Sequence, residues 1–299
     1  GLALPGMSSL MNYMQIATTE NTIYTSPDAS KIFCYTPSII VTPTGRLIVS
    51  FDLGGEGVKS IEGHKSSRAG GSRFGQGKIF ISDDNGQKWT FVQNFPFWHA
   101  RLFTIGNSIY LIGHAGDICI MKSEDNGESW SDTYFLTHGE KWHSSACNVL
   151  FSNGNVYLAM EQRCRLNEVT GWDVAGLSPT LFRACVEDNL CLASSWSRSE
   201  KFIYKEVFDG AKLDFFGIPF YDCETNKPKE IATGINNAPL GWLEANVVKF
   251  VDKDHIWHTD LKEVFHLFLR AHTGGVNYAH LFKIEIQDDQ SMIPSLEHT

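Results

Sequence analysis

"SDDNGQKW" (residues 82–89) and "SEDNGESW" (residues 123–130) share the pattern S-x-D-N-G-x-x-W, with the second copy 41 residues after the first. Each follows a short apolar run, "KIFI" in one case and "ICIM" in the other. The pattern has the chemistry of a tight turn. Asp84 and Asp125 can accept bonds from backbone N–H groups, Gly86 and Gly127 can supply a positive φ, and Trp89 and Trp130 can pack between sheets. The string D-x-D-N-G also suggests a calcium loop, but that register fails. Its first ligand would be Ile81 or Lys122, and its bidentate glutamate would be Val92 or Thr133. No metal is expected at either copy, and no cofactor is expected elsewhere.

Outward from these turns the chain reads as short strands, because no window keeps a helical apolar period for three turns. The first set is "CYTPSIIVT", the turn "PTG", "RLIVSFDL", a Gly-rich insertion over 54–77, "KIFIS" and "KWTFVQ". The second is "HARLFTIG", "SIYLIGHA", "DICIMKS" and "SWSDTYFL". A third set uses "SSACNVLFSNG", "NVYLAMEQR" and "LFRACVE", with a fourth strand near "KFIYKEV". The last set is "WLEANVVKFVD", "EVFHLFLRAH" and "YAHLFKIEI", with its fourth strand drawn from the final residues. Successive four-stranded units of this length predict an all-β fold, a β-propeller of antiparallel blades forming one domain over 1–299. About four blades are visible. "TIYTSP" (residues 22–27) is placed to complete the last blade by ring closure.

The net charge is −9 with no Lys/Arg cluster, which argues against a nucleic-acid partner. No apolar run reaches the roughly 18 to 20 residues of a membrane span, and the N-terminal stretch lacks the pattern of a signal peptide. Seven scattered cysteines show no zinc-ligand spacing and read mainly as buried thiols, with one loop-closing bridge open to Cys185 and Cys191.

The twice-used turn resembles the Asp box of the sialidase-like (Asp-box, or BNR-repeat) β-propeller glycoside hydrolases. The resemblance implies that the turns lie on the outer part of each blade, and that chemistry gathers where inner strands meet at the axis. It also implies a carbohydrate substrate and a secreted or periplasmic setting. The family usually has six blades, so four visible blades imply either an unusual closure or a ring whose C-terminal part is missing, and the abrupt end "SMIPSLEHT" favours the second. "GWLEANVVKF" followed by "VFHLFLRAH" is similar to the family's Glu on one strand with a substrate-binding Arg ending the next. It nominates Glu244, Asn246 and Arg270, with Tyr278 soon after. Asp52, ending "IVSFD", matches the region of the family's acid/base Asp. In "CYTPSI", Tyr35 stands where sialidases have an Arg, and a phenol cannot replace a bidentate guanidinium.

Position along the strands adds other candidates. His143, Glu161 and Arg163 correspond in the third set, beside Trp142. Trp98, His99 and Arg101 open the second set, where an aromatic and an Arg suit a sugar ring. His114 reads as a satisfied strand residue. The insertion carries Glu62, His64, Arg68 and Arg73 on a loop expected over the mouth. The leading expectation is a glycoside hydrolase with catalytic carboxyls from Asp52, Glu161 and Glu244. Arg68, Arg101, Arg163, Arg270, His64, His143, Asn246 and Tyr278 would bind the sugar. Carboxyls about 5 to 5.5 Å apart would give retention, and about 6.5 to 9.5 Å inversion. The alternatives are a non-catalytic carbohydrate-binding propeller and a uronic-acid polysaccharide lyase using His and Tyr.

Overall fold

The computed structural model describes residues 20–67, 74–143, 147–164, 176–203, 214–215, 218–219, 241–260, 263–272 and 277–298. These residues form four antiparallel sheets arranged in series as propeller blades. Blade I contains β1 (Phe33–Val41), β2 (Leu47–Gly54), the two-residue β3 (Ser66–Ser67), β4 (Phe74–Ser82) and β5 (Thr90–Phe95). Blade II is a meander of β6 (Trp98–Ile105), β7 (Ser108–Ala115), β8 (Asp117–Ser123) and β9 (Tyr134–Phe135). In blade III, β10 (Trp142–His143) and β11 (Leu150–Ser152) both pair with β12 (Asn155–Arg163), which leads to β13 (Leu177–Cys185) and β14 (Trp196–Arg198). The short pair β15 (Asp214–Phe215) and β16 (Ile218–Pro219) precedes blade IV, which comprises β17 (Gly241–Val248), β18 (Val264–His272), β19 (Asn277–Ile286) and β20 (Met292–His298).

Strand alternation explains the serial packing. In β7, Ile109 and Leu111 join the core between blades I and II, while Tyr110 and Ile112 join the core between blades II and III. In β12, Val156, Leu158 and Met160 face blade II, while Tyr157 and Ala159 face blade IV. Successive side chains on a strand point to opposite faces, so each central blade is buried on both sides. A fully buried Leu, Ile or Phe contributes about 1.5–3 kcal/mol, and here that gain requires a neighbouring sheet.

The repeated turns behave as structural clasps. Asp84 Oδ1 accepts the Lys88 N–H at 2.8 Å, and Ser82 Oγ accepts the Gly86 N–H at 2.9 Å. Asp125 and Ser123 repeat both bonds with Ser129 and Gly127, each at 2.9 Å. Arg46, in the turn after β1, binds Asp83 through Nε at 2.6 Å and Glu128 through Nη1 at 2.6 Å, so one side chain links both turns.

Three sequence expectations need correction. Residues 22–27 form no strand; Ile23 and Tyr24 instead pack on the Val49, Phe51 and Phe80 face of blade I. The fourth strand of blade III is β14, earlier than "KFIYKEV", because Ser197 pairs with Arg183. Cys185 and Cys191 are both free thiols. The last strand of blade IV does come from the final residues, with Ile284 opposite Pro294.

Gly77 sits opposite Phe95, and a Cβ there would lie 2.0 Å from the Phe95 ring, which is wholly buried. Gly77→Ala should therefore lower stability by about 1–3 kcal/mol through overpacking. A denaturant midpoint unchanged from the parent would refute this account of the blade I core.

Candidate active site

Three inner strands carry the same irregularity. The register of β1 on β2 shifts between Tyr35 and Ser38, that of β6 on β7 between Trp98 and Arg101, and that of β17 on β18 between Leu243 and Asn246. Within these bulges Thr36, His99 and Glu244 take φ values of 50°, 50° and 63°. Left-handed backbone is costly for residues other than glycine, and a bulge re-aims the side chain that bears it. On each second strand, one polar residue stands opposite the residue that precedes the positive φ. Asp52 faces Tyr35, His114 faces Trp98, and Arg270 faces Leu243. In blade III, Glu161 faces His143 near the same end of β12. Asp52, His114, Glu161 and Arg270 thus occupy corresponding places in four consecutive blades.

From Asp52 to Glu161 these residues are joined by contacts. Asp52 is fully buried; its Oδ1 accepts the His99 N–H at 3.1 Å, and its Oδ2 is buried without a hydrogen-bond partner among the described residues. Burial pushes its pKa up to about 8, against the opposing effects of the His99 N–H and the Arg101 charge. Asp52 therefore holds a proton at neutral pH. His99 Nδ1 lies 3.1 Å from His114 Nε2, so one ring donates its N–H to the other. The His143 ring centroid is 5.7 Å from that of His99 and 6.2 Å from that of His114. His143 Nδ1 meets Glu161 Oε2 at 3.0 Å, and Glu161 Oε1 accepts the Ala245 N–H at 2.8 Å. Glu161 thereby orients a histidine and ties blade III to blade IV.

Glu244 and Arg270 are the more open pair, with Oε1 and Nη1 3.3 Å apart and each side chain about a third exposed. An aromatic wall flanks Asp52. Tyr35 is 45% exposed and lies over Gly54, where a Cβ would meet its ring at 2.8 Å. Trp98 covers Gly75, where a Cβ would lie 2.1 Å from the indole. Both glycines let a flat ring approach the backbone closely.

The remaining candidates lie as follows. Arg101 is buried, and its guanidinium donates to the carbonyls of Cys147 at 2.7 Å, Pro37 at 3.1 Å and Ala100 at 3.2 Å. The expected sugar clamp is therefore a tie between inner-strand segments, one that also places positive charge near Asp52. Asn246 Oδ1 accepts the Asn148 N–H at 2.9 Å, which laces blade III to blade IV. Arg163 is half-buried at the end of β12, and His64 is exposed in the insertion. Tyr278 pairs through its backbone with Ala271, and its side chain lies outside the described residues. Arg68 and Arg73 also lie outside them. Sequence reasoning treated His114 as an ordinary strand residue. The signal that would have found it is the alignment of "SFD", "IGH", "AME" and "FLR", in which His114 shares a column with Asp52, Glu161 and Arg270. Among the described residues, no three His, Cys, Asp or Glu side chains are arranged to hold a metal.

Neither a protein-family model nor a curated protein matches the sequence. Solved structures that resemble the chain include an alpha-L-arabinofuranosidase from Lactobacillus brevis, at 12% identity and TM-score 0.48 over 90% of this chain and 80% of that one. An alpha-L-arabinofuranosidase from Fusarium graminearum, in complex with an iminosugar inhibitor, aligns at 10% identity and TM-score 0.46 over 89% and 66%. The NanB sialidase from Streptococcus pneumoniae aligns at 10% identity and TM-score 0.45 over 90% of this chain and 48% of that one. The chain thus spans about half the length of the sialidase.

The raised pKa of Asp52 has a definite sign. The folded protein retains a proton that the unfolded chain releases near the ordinary carboxyl value of 3.8, so this contribution to stability is full below about pH 4 and is lost as pH rises to about 8. Asp52→Asn should flatten the fall of melting temperature across that interval; an identical slope in parent and variant would contradict the assignment. Arg101→Met should cost about 2–4 kcal/mol, since it strands carbonyls that now receive charged donors. Equilibrium unfolding in urea measures it.

Proposed function

We propose that the protein is a glycoside hydrolase that removes a terminal sugar at the mouth where the inner strands converge. The observation that carries this reading is Asp52, a closed-off carboxyl that holds a proton at neutral pH and has an unpartnered Oδ2 among the described residues. Such a group suits a general acid. Asp52 Oδ2 donates its proton to the glycosidic oxygen as the bond to the anomeric carbon breaks. Oδ2 is closed to solvent as the structure stands, so the transfer requires the mouth to open onto it, and the bound sugar then keeps water out. Glu244, held by Arg270 on strained backbone, is the more accessible carboxylate and acts on the anomeric centre as nucleophile or, through water, as base. Tyr35 offers an exposed ring face to the sugar, and Glu161 positions His143.

In the sialidase-like reading the sugar is acidic. One accessible Arg beside Glu244, with Arg101 bound to backbone carbonyls and Tyr35 in the expected Arg place, supports a clamp different from three arginines. A second reading is favoured by the His99–His114 hydrogen bond: a lyase that abstracts a proton from a uronic acid while Arg270 neutralises its carboxylate. The products separate the two, because hydrolysis releases a saturated reducing sugar and elimination leaves an unsaturated uronate.

Assayed on arabinosides, sialosides, rhamnosides and uronides, the protein should hydrolyse at least one class. Asp52→Asn should lower that rate by about 10²–10⁴-fold, the usual scale of general-acid catalysis. The rate of the parent should fall as pH rises past about 8, where Asp52 loses its proton. Glycan binding without turnover on any substrate would leave a binding propeller as the function.

A further inference from the structure

The two copies of the S-x-D-N-G-x-x-W turn share their backbone hydrogen bonds but differ at the tryptophan. Trp89 donates its indole N–H to the Gly86 carbonyl at 3.1 Å. That carbonyl also accepts from Asn21 at 2.9 Å, so the first turn is covered by the N-terminal segment. Trp130, at the same motif position, has its Nε1 buried without a hydrogen-bond partner among the described residues. A buried donor left unpaired costs about 1–3 kcal/mol, and such a group calls for an explanation.

Trp130 lines a cavity of about 540 Å³ on the rim between blades II and III, away from Asp52 and its partners. Tyr134, 44% exposed, and Leu192, 51% exposed, contribute to the same cavity. Its far wall is the turn around Asn189, held by the Leu192 N–H on the Asn189 carbonyl at 3.0 Å and by Trp196 Nε1 on the Leu190 carbonyl at 2.9 Å. The wall is therefore built independently of any ligand. The charged lining consists of Lys122 paired with Glu124, together with Asp125, whose carboxylate is engaged by its own turn. Paired charges give little attraction for an anion, whereas aromatic faces beside hydroxyl and amide groups suit the apolar faces and hydroxyls of a neutral sugar.

We propose that this cavity is a second carbohydrate site, which holds a neutral sugar unit of a polysaccharide on the outer rim while the mouth acts elsewhere on glycan. The ligand class rests on the reading of the protein as glycan-acting; the site itself does not depend on which chemistry the mouth performs. Tyr134 and Trp130 supply the ring contacts, and a small turn of the indole would bring its buried, unpaired N–H to a sugar oxygen.

The test is affinity electrophoresis of the full chain in gels containing soluble arabinan, xylan or galactomannan, with Asp52→Asn as the parent so that the matrix is not digested. At least one neutral matrix should retard that parent. Adding Tyr134→Ala should raise the dissociation constant about fivefold, the loss of one aromatic contact. Trp130→Phe, which keeps a ring and deletes the N–H, should raise it about threefold. Unchanged retardation in both variants would overturn the proposal, as would retardation by polygalacturonate alone or by no matrix. Turnover by the Asp52 form, measured separately as released sugar, reports on the catalytic reading and leaves the rim result independent of it.

Discussion

Burial of both faces of each central blade is the constraint on which the rest depends. Blade II cannot satisfy β7 alone, because Ile109 and Leu111 need blade I while Tyr110 and Ile112 need blade III. Blade III is under the same demand from Tyr157 on one side and Val156 on the other. The sheets must therefore stack in chain order, which sets the inner strand β1 against the inner strand β6, and the second strand of blade III, β12, against the inner strand β17. The clasp made by Arg46 across Asp83 and Glu128 adds polar specificity to packing that is otherwise directionless. An exposed ion pair adds little stability by itself, so its contribution is to fix the spacing of two turns.

Once the inner strands are neighbours, their bulges become the means of aiming side chains. A regular strand would alternate inward and outward faces, and its polar residues could not gather at one end. The positive φ at Thr36, His99 and Glu244 breaks that alternation in three blades at one level. The contacts that follow cross blade boundaries: Asp52 with the backbone of His99, and Glu161 with the backbone of Ala245. Site and scaffold are consequently coupled. The groups proposed for chemistry also join one sheet to the next.

The parts of this arrangement legible in the sequence are those with local causes. The turns were readable because Ser, Asp, Gly and Trp each have one role at a fixed offset, and the strands were readable from β-rich runs between turn residues. Asp52, Glu161 and the Glu244–Arg270 pair could be nominated because charge is unusual in such strands. The role of Arg101 was not legible, since its partners are carbonyls as distant in sequence as Pro37 and Cys147. Nor was His114, because a histidine within an apolar strand looks the same whether it ends in packing or in a hydrogen bond to His99. The N-terminal segment misled for a related reason. "TIYTSP" has strand composition, but composition does not say whether Ile23 and Tyr24 pair along an edge or pack on a face.

The column holding Asp52, His114, Glu161 and Arg270 suggests how one scaffold comes to carry chemistry. At that place the fold asks only for a strand backbone that pairs across to the inner strand. Asp52, His114 and Glu161 are buried there, and Asp52 and Glu161 each accept an N–H from the next blade. Two carboxyls, an imidazole and a guanidinium thus occupy equivalent positions, each with its own partners across the blades. The repeat supplies one geometry several times over, on which different side chains can be placed. The same logic applies at the rim, where two turns keep the backbone bonds that the fold needs and differ at the indole, which it does not.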